Sequence, residues 1–297
     1  MNIVTITRTV AFVLVLGLTA TGLWATGAAE EAPAAGADKR YVTDPTTGEP
    51  VVAPEYGGTI TVPWNEEGPN PDVMLSGWYG MFTTGVLERL GNGDWGMDRS
   101  EFDFKVRPPV SALKGELAES WSQPDINTVI VKIRQGVHWH DKAPMNGREL
   151  DAYDVEYSFH RVTGTGSGFT EPSAFAWVLK NFKWESITAT DKWTVVFKLQ
   201  ETRLDALGAI LFDIAGQIYP SDVIREHGDV GDWRNVVGTG PFELADYVEG
   251  TVTAYTRNPN YWGYDEKYPE NRLPYVAEIR GPDHARRGNP GSGTALG

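Results

Sequence analysis

The chain has no cysteine among its 297 residues. In an exported protein that excludes disulfides, and it removes the thiol that lipid attachment to a cell envelope requires. Stability then has to come from burial. Long apolar runs are missing too. Val10–Leu18 is the apolar centre of the N-terminus, and it falls well short of the roughly 20 residues that cross a bilayer. Positive charge is scarce, with 26 Lys and Arg against 40 Asp and Glu and a net charge of −14. So acidic a surface repels phosphate backbones and anionic lipid, which argues against nucleic-acid and membrane-surface partners. The patterns G-x-S-x-G, G-x-x-x-x-G-K-[ST] and H-E-x-x-H do not occur, so the usual nucleophile elbow, phosphate loop and zinc helix have no counterpart. No pair among the carboxylates stands out for glycoside chemistry.

What is present is an exported, aromatic-rich chain. Residues 1–29 read as a signal peptide, with Arg8 as a thin basic region and small residues around Ala25 and Ala28 as cleavage points. Residues 30–55, rich in Ala, Glu, Pro and Thr, read as a flexible linker. Order is expected from Gly57-Gly58 into the strand Thr59–Pro63, followed by a loop. Ser76 then caps a helix with Trp78, Phe82, Val86 and Leu90 on one face and Gly91 as its stop. Gly91–Lys114 has no clear period and reads as a surface excursion. Thr128–Arg134 alternates as a half-buried strand, and Asp151 caps a helix facing inward with Ala152, Val155, Phe159 and Val162. Trp184–Ala189 and Trp193–Leu199 form a hairpin about Asp191-Lys192. Helices near Leu204–Phe212 and Ser221–His227 follow, then Phe242–Val248 and Val252–Thr256 pair about Glu249-Gly250. The class is mixed α+β. Residues 281–297, rich in turn formers, read as a disordered or aberrant tail.

Several residues invite a functional reading. Gly91-Asn-Gly-Asp-Trp-Gly96 has the letters of a dinucleotide fingerprint but follows a helix pattern instead of a strand, so it reads as a glycine-rich stop. His138 and His140 share a side of an extended segment, a spacing that a metal could use, but no further ligand is evident. A turn with Asp141 accepting backbone hydrogen bonds explains them as well. No metal and no cofactor are expected. Of the 11 Trp, each can bury on the order of 200 Å², so Trp121, Trp184 and Trp193 are placed in cores. Trp64 with Asn65, and Trp78 with Tyr79, flank the loop after the first strand, where a concave site tends to open. They are candidate ligand contacts. Gly238, Thr239 and Gly240, stiffened by Pro241, form a turn that either serves the fold or offers main-chain groups to a ligand.

Two segments carry a resemblance. Leu117-Ala-Glu-Ser-Trp121 leads into the strand at 128–134, Gly136-Val-His-Trp-His-Asp141 and the helix entry Leu150-Asp-Ala-Tyr-Asp-Val155. Val237-Gly-Thr-Gly-Pro-Phe-Glu-Leu244 leads into Arg257-Asn-Pro-Asn-Tyr-Trp262. With Gly57–Thr61 before and Leu273–Ile279 after, the chain resembles, over about residues 56–280, the extracytoplasmic solute-binding proteins of peptide-type ABC importers (family 5: oligopeptide, dipeptide and nickel class). The resemblance implies a type II periplasmic-binding-protein lobe with an inserted subdomain. Residues 56–90 and 184–280 would form lobe I and 91–183 the insertion. A second large lobe would follow; it is missing here, which reads as an N-terminal fragment. No catalysis is implied. A monomeric periplasmic protein would enclose a ligand by hinge closure and deliver it to the transmembrane subunits of an ABC permease. Peptides are the first expectation, oligosaccharides or nickel complexes the alternative within the family. A secreted hydrolase is the alternative of another class.

Overall fold

A computed structural model describes residues 40–62, 71–76, 83, 85–94, 96–97, 100, 109–248 and 251–281. The expected signal peptide, the turn Glu249-Gly250 and the tail beyond Gly281 lie outside them. Among the described residues no helix is long and apolar enough to cross a membrane.

The first elements, β1 (Tyr41–Thr43) and β2 (Pro50–Val52), pair antiparallel. This corrects part of the flexible linker expected over 30–55. The turn is closed by Asp44, whose Oδ1 accepts the N–H groups of Thr46 at 2.7 Å and Thr47 at 3.2 Å. β3 (Gly57–Thr61) follows, then α1 (Val73–Ser76). That helix starts earlier than Ser76 because the buried Asp72 accepts the Met74 N–H at 3.2 Å. Val86 and Leu90 are buried but not helical. The chain turns there instead, with the N–H groups of Val86 and Leu87 both donated to the Thr83 carbonyl. Trp78 and Phe82 lie outside the described residues. Gly91 does not stop a helix; it opens β4 (Gly91–Gly93), which pairs with β5 (Leu113–Gly115) and so ties both ends of the expected excursion together.

The largest core forms next. β6 (Ala118–Asp125), β7 (Thr128–Ile133), α2 (Ala152–Thr163), β8 (Trp184–Asp191) and β9 (Thr194–Leu199) build a four-stranded antiparallel sheet in the order β6-β7-β9-β8, with α2 packed on it. The alternation in β7 buries Val129, Val131 and Ile133, and Val195, Phe197 and Leu199 of β9 are buried likewise. Phe159 of α2 meets Phe197 edge-on at 4.8 Å. Trp184 is buried, whereas Trp121 and Trp193 only partly close the core. A division at 183/184 would cut this sheet, because β7 pairs with β9 from Thr128↔Lys198 to Lys132↔Thr194. The sheet that begins at β6 is therefore complete only at Leu199. Its helix is well defined by sequence: Asp151 accepts the N–H groups of Tyr153 and Asp154 at 3.0 and 3.2 Å, and Asp154 accepts that of Asp151. Asp151→Ala is expected to cost about 1 kcal/mol, read as a lower urea midpoint at unchanged slope.

α3 (Ala206–Phe212) and α4 (Ser221–His227) lead to β10 (Phe242–Val248), β11 (Val252–Arg257) and β12 (Val276–Arg280). These join β3 in a second sheet, order β10-β11-β12-β3, in which β12 and β3 run parallel. Its inner face packs Phe242, Leu244 and Tyr255 against Val86 and Val236 as a smaller core.

Candidate functional site

A groove of about 1010 Å³ lies between the segment that follows β7 and the loop that follows β11, lined by Arg134, His138, Asp141, Asn146, Trp262 and Arg272 among others. A smaller concavity of about 550 Å³ lies beyond the same Arg134–Trp262 wall. The wall is built from both sides. Arg134 leaves the end of β7 and donates through Nε to the Glu116 carbonyl at 2.8 Å. Its guanidinium lies over the Trp262 ring at 4.7 Å, a contact worth about 0.5–1 kcal/mol near solvent. Trp262 comes from the loop after β11. There the buried Asn258 donates through Nδ2 to the Gly240 carbonyl and accepts the Asn260 N–H, at 3.0 and 2.9 Å. The Asn-Pro-Asn run thus pins the loop before Tyr261 and Trp262 leave it.

Beneath the wall sits a buried acid. Glu88 accepts the Tyr261 hydroxyl at 2.9 Å and the Trp262 indole N–H at 3.0 Å, and bonds the Thr239 hydroxyl. Burial pushes its carboxyl up to about 8, aided by the charge of Glu116 and opposed by those hydrogen bonds. Glu116 is raised to about 7, again by burial, with the Arg89 N–H and the Asn92 side chain pulling the other way. The residue keeps some surface, but its carboxylate is turned inward, where it accepts the Arg89 N–H at 3.0 Å.

The turn 238–240 is consumed by the fold. The Gly240 N–H goes to the Val86 carbonyl at 2.9 Å, and the Gly240 carbonyl accepts from Asn258 and from His140 Nε2, each at 3.0 Å. Gly238 donates to His140 Nδ1 at 3.2 Å, and its carbonyl accepts the His140 N–H at 2.8 Å. Thr239 is 2% exposed. Both glycines are needed for close approach: a Cβ on Gly238 would sit 1.8 Å from the Val86 carbonyl oxygen, and one on Gly240 2.4 Å from that of Gly85. Of the two readings open in the sequence, the geometry fits the structural one.

The histidines part company as well. His140 is buried and both its ring nitrogens are bonded to main chain. Burial lowers it to about 4, so it is neutral near pH 7. His138 is exposed and bonded through Nδ1 to the Gly147 carbonyl at 2.8 Å. Among the described residues no group of His, Asp and Glu is arranged to hold a metal. The expected contacts Trp64, Asn65, Trp78 and Tyr79 lie outside the described residues. Sequence reasoning missed Arg134, Glu88 and Glu116. Only one signal pointed to them: Glu88 interrupts the apolar run Val86–Leu90, all of whose other members except Arg89 are apolar.

Comparison with known proteins places this arrangement. The family model of bacterial extracellular solute-binding proteins, family 5 (middle), matches residues 112–280. The dipeptide-binding protein of Escherichia coli is 29% identical over 213 residues, covering 66% of this chain and 36% of that protein. Among solved structures, the periplasmic binding protein DppA of Helicobacter pylori in complex with the peptide STSA superposes with a TM-score of 0.59 at 20% identity, over 77% of this chain and 43% of that one. NikA of Brucella suis in complex with Fe(III)-EDTA gives 0.56 at 18% identity, over 76% and 39%. The chain spans about a third of the length of the curated relatives it matches.

Proposed function

The chain belongs to the family 5 bacterial extracellular solute-binding proteins, and from that premise we propose that it is the ligand-binding component of an ABC importer that captures peptides and hands them to a membrane permease. The match across 112–280, which takes in the whole β6-β7-β9-β8 sheet, three of the four strands of the second sheet, and Arg134 and Trp262 of the wall, carries the reading. Family members bind solutes and are not enzymes. Peptides are favoured because the curated relative at 29% identity is a dipeptide-binding protein.

In this reading residues 56–90 and about 200–280 form lobe I, and 91 to about 199 the inserted subdomain. A second lobe closes over the ligand, and closure is the signal read by the permease. Trp64, Asn65, Trp78 and Tyr79 contact the ligand, while Gly238, Thr239 and Gly240 hold the wall behind it. Residues 1–29 direct export to the periplasm, and the absence of cysteine leaves the protein without a lipid anchor. The mature protein is a monomer.

Native mass spectrometry of the full-length gene product, purified without denaturation, tests this. Co-purifying peptides are expected, with affinity reduced about tenfold or more by Trp64→Ala or Trp78→Ala, since an aromatic anchor is commonly worth above 1.4 kcal/mol. Co-purifying sugars or metal chelates would move the ligand class within the family. Turnover of any ligand would overturn the proposal.

A further inference from the structure

The groove beside the Arg134–Trp262 wall has no part in the peptide capture proposed above, and its place in the fold sets it apart. β3 and β12 run parallel and end together at Thr61 and Arg280, and Trp64 and Asn65 follow in the chain from that end of the sheet. β11 runs the other way, with Ala254 opposite Arg280 and Thr256 opposite Glu278. The loop that carries Trp262 and Arg272 therefore leaves from the opposite end. Four charged side chains line the groove: Arg134, Arg272, Glu119 and Asp141. Among the described residues none of them makes an ion pair, with one another or elsewhere. A few residues along the chain, by contrast, Arg148 pairs with Asp154 and Asp222, and Lys192 with Glu149. In a chain with 40 Asp and Glu to 26 Lys and Arg, two guanidinium groups at one groove without an acid run against the excess. Both are held still. Arg134 is fixed by the Glu116 and Gly115 carbonyls and the Trp262 ring. Arg272 donates through Nη1 to the Tyr261 carbonyl at 3.0 Å and through Nη2 to the Tyr264 hydroxyl at 2.8 Å, and lies over the Tyr264 ring. Nη1 of Arg134 and Nε of Arg272 bond nothing among the described residues. Glu119 and Asp141 are exposed, and their carboxylates accept no hydrogen bond among those residues either.

We propose that this groove is a second binding site, and that it takes a small zwitterion carrying a carboxylate and an ammonium, as a free amino acid or a short peptide does. The carboxylate bonds Arg134 and Arg272, whose planar forks match its two oxygens. The ammonium faces Glu119 and Asp141. A ligand of one sign meets repulsion from the pair of its own sign, whereas a zwitterion satisfies both, so the mixed charge selects for it. Cations already held by main-chain and ring contacts lose little freedom when the ligand arrives. A volume of about 1010 Å³ gives room for such a molecule, at the upper end of small-ligand sites. Occupancy here is independent of the peptide site, because the two lie at opposite ends of the sheet.

An NMR titration of the full-length gene product tests the site. The indole N–H signal of Trp262, assigned through Trp262→Phe, is followed as alanine or trialanine is added. A saturable shift is expected with one of the two, at a dissociation constant of about 1 mM or tighter. N-acetylalanine lacks the ammonium and alaninamide lacks the carboxylate, so each should bind at least about tenfold more weakly than alanine. Arg272→Gln should weaken binding by about tenfold or more. Should that variant fail to fold, Glu119→Gln and Asp141→Asn decide the matter, since their side chains hold nothing else in place; together they should weaken binding by a similar factor at an unchanged melting temperature. Trp64→Ala, which reports on the peptide site, should leave the Trp262 response intact. No saturable shift with either zwitterion, blocked forms that bind as well as alanine, or a response abolished by Trp64→Ala would each overturn the proposal, and none of these bears on peptide capture itself.

Discussion

Asp72→Ala is expected to cost about 3–5 kcal/mol of stability, the range for stripping a buried ion of its partner. Asp72 is fully buried, and its Oδ2 lies 2.6 Å from Arg161 Nη2 with Arg161 only 5% exposed. The same oxygen accepts the Val230 N–H at 3.1 Å, and Oδ1 accepts that of Met74 at 3.2 Å. One carboxylate therefore starts α1, fixes the chain after α4 and neutralises a cation in the last turn of α2. Arg161 lies over the Tyr219 ring, and its Nη1 has no hydrogen-bond partner among the described residues. Removing the acid leaves a guanidinium that cannot reach water. Urea unfolding gives the number. A midpoint shift equivalent to less than about 1 kcal/mol would mean that water reaches Arg161 in solution. The charge origin has its own check, since adding Arg161→Met to Asp72→Ala should recover part of the loss, which independent sites would not do.

Asp72 also marks where sequence reasoning reaches its limit. Local signals were legible: the alternation of β7, the Asp151 cap with Gly164 closing α2, and the hairpin of β8 and β9 each depend on neighbours a few residues away. Partnership across the chain was not. Nothing within the β8–β9 hairpin states that β9 pairs with β7, so a boundary read at 183/184 falls within one sheet. Likewise β3 pairs in parallel with β12 at a separation of more than 200 residues, and neither strand shows it. The roles of buried polar residues stay hidden for the same reason. Glu88 looks like a solvated charge until Tyr261 and Trp262 arrive from 173 and 174 positions away. Trp262 was quoted within a recognisable motif, yet the motif's purpose, to set an indole on a buried carboxylate, exists only in three dimensions. The glycines of the turn 238–240 were picked out correctly as special, but their cause was left open between ligand and fold.

That choice yields the second large expectation. Gly238→Ala should cost more than about 3 kcal/mol, the scale at which overpacking against immovable atoms removes much of a domain's stability. The argument is steric, not conformational. The added methyl would stand 1.8 Å from the Val86 carbonyl oxygen and 2.5 Å from its carbon, and that carbonyl is held by the Gly240 N–H. Relief requires the turn and the segment 85–86 to separate. That would break the His140 contacts on both sides of Thr239 and open the smaller core around Val86, Phe242 and Tyr255. A turn kept bare for a ligand behaves differently: the alanine variant would fold with an unchanged near-ultraviolet spectrum and lose only affinity. The structure predicts the reverse, an early loss of the near-ultraviolet signal on heating. Thr239→Ser serves as the comparison, because it keeps the hydroxyl that Glu88 bonds, removes one methyl, and should cost no more than about 1–1.5 kcal/mol. Equal losses in the two variants would show that the turn yields to a methyl, and the tight seam between Val86 and Gly238 would no longer account for the glycine.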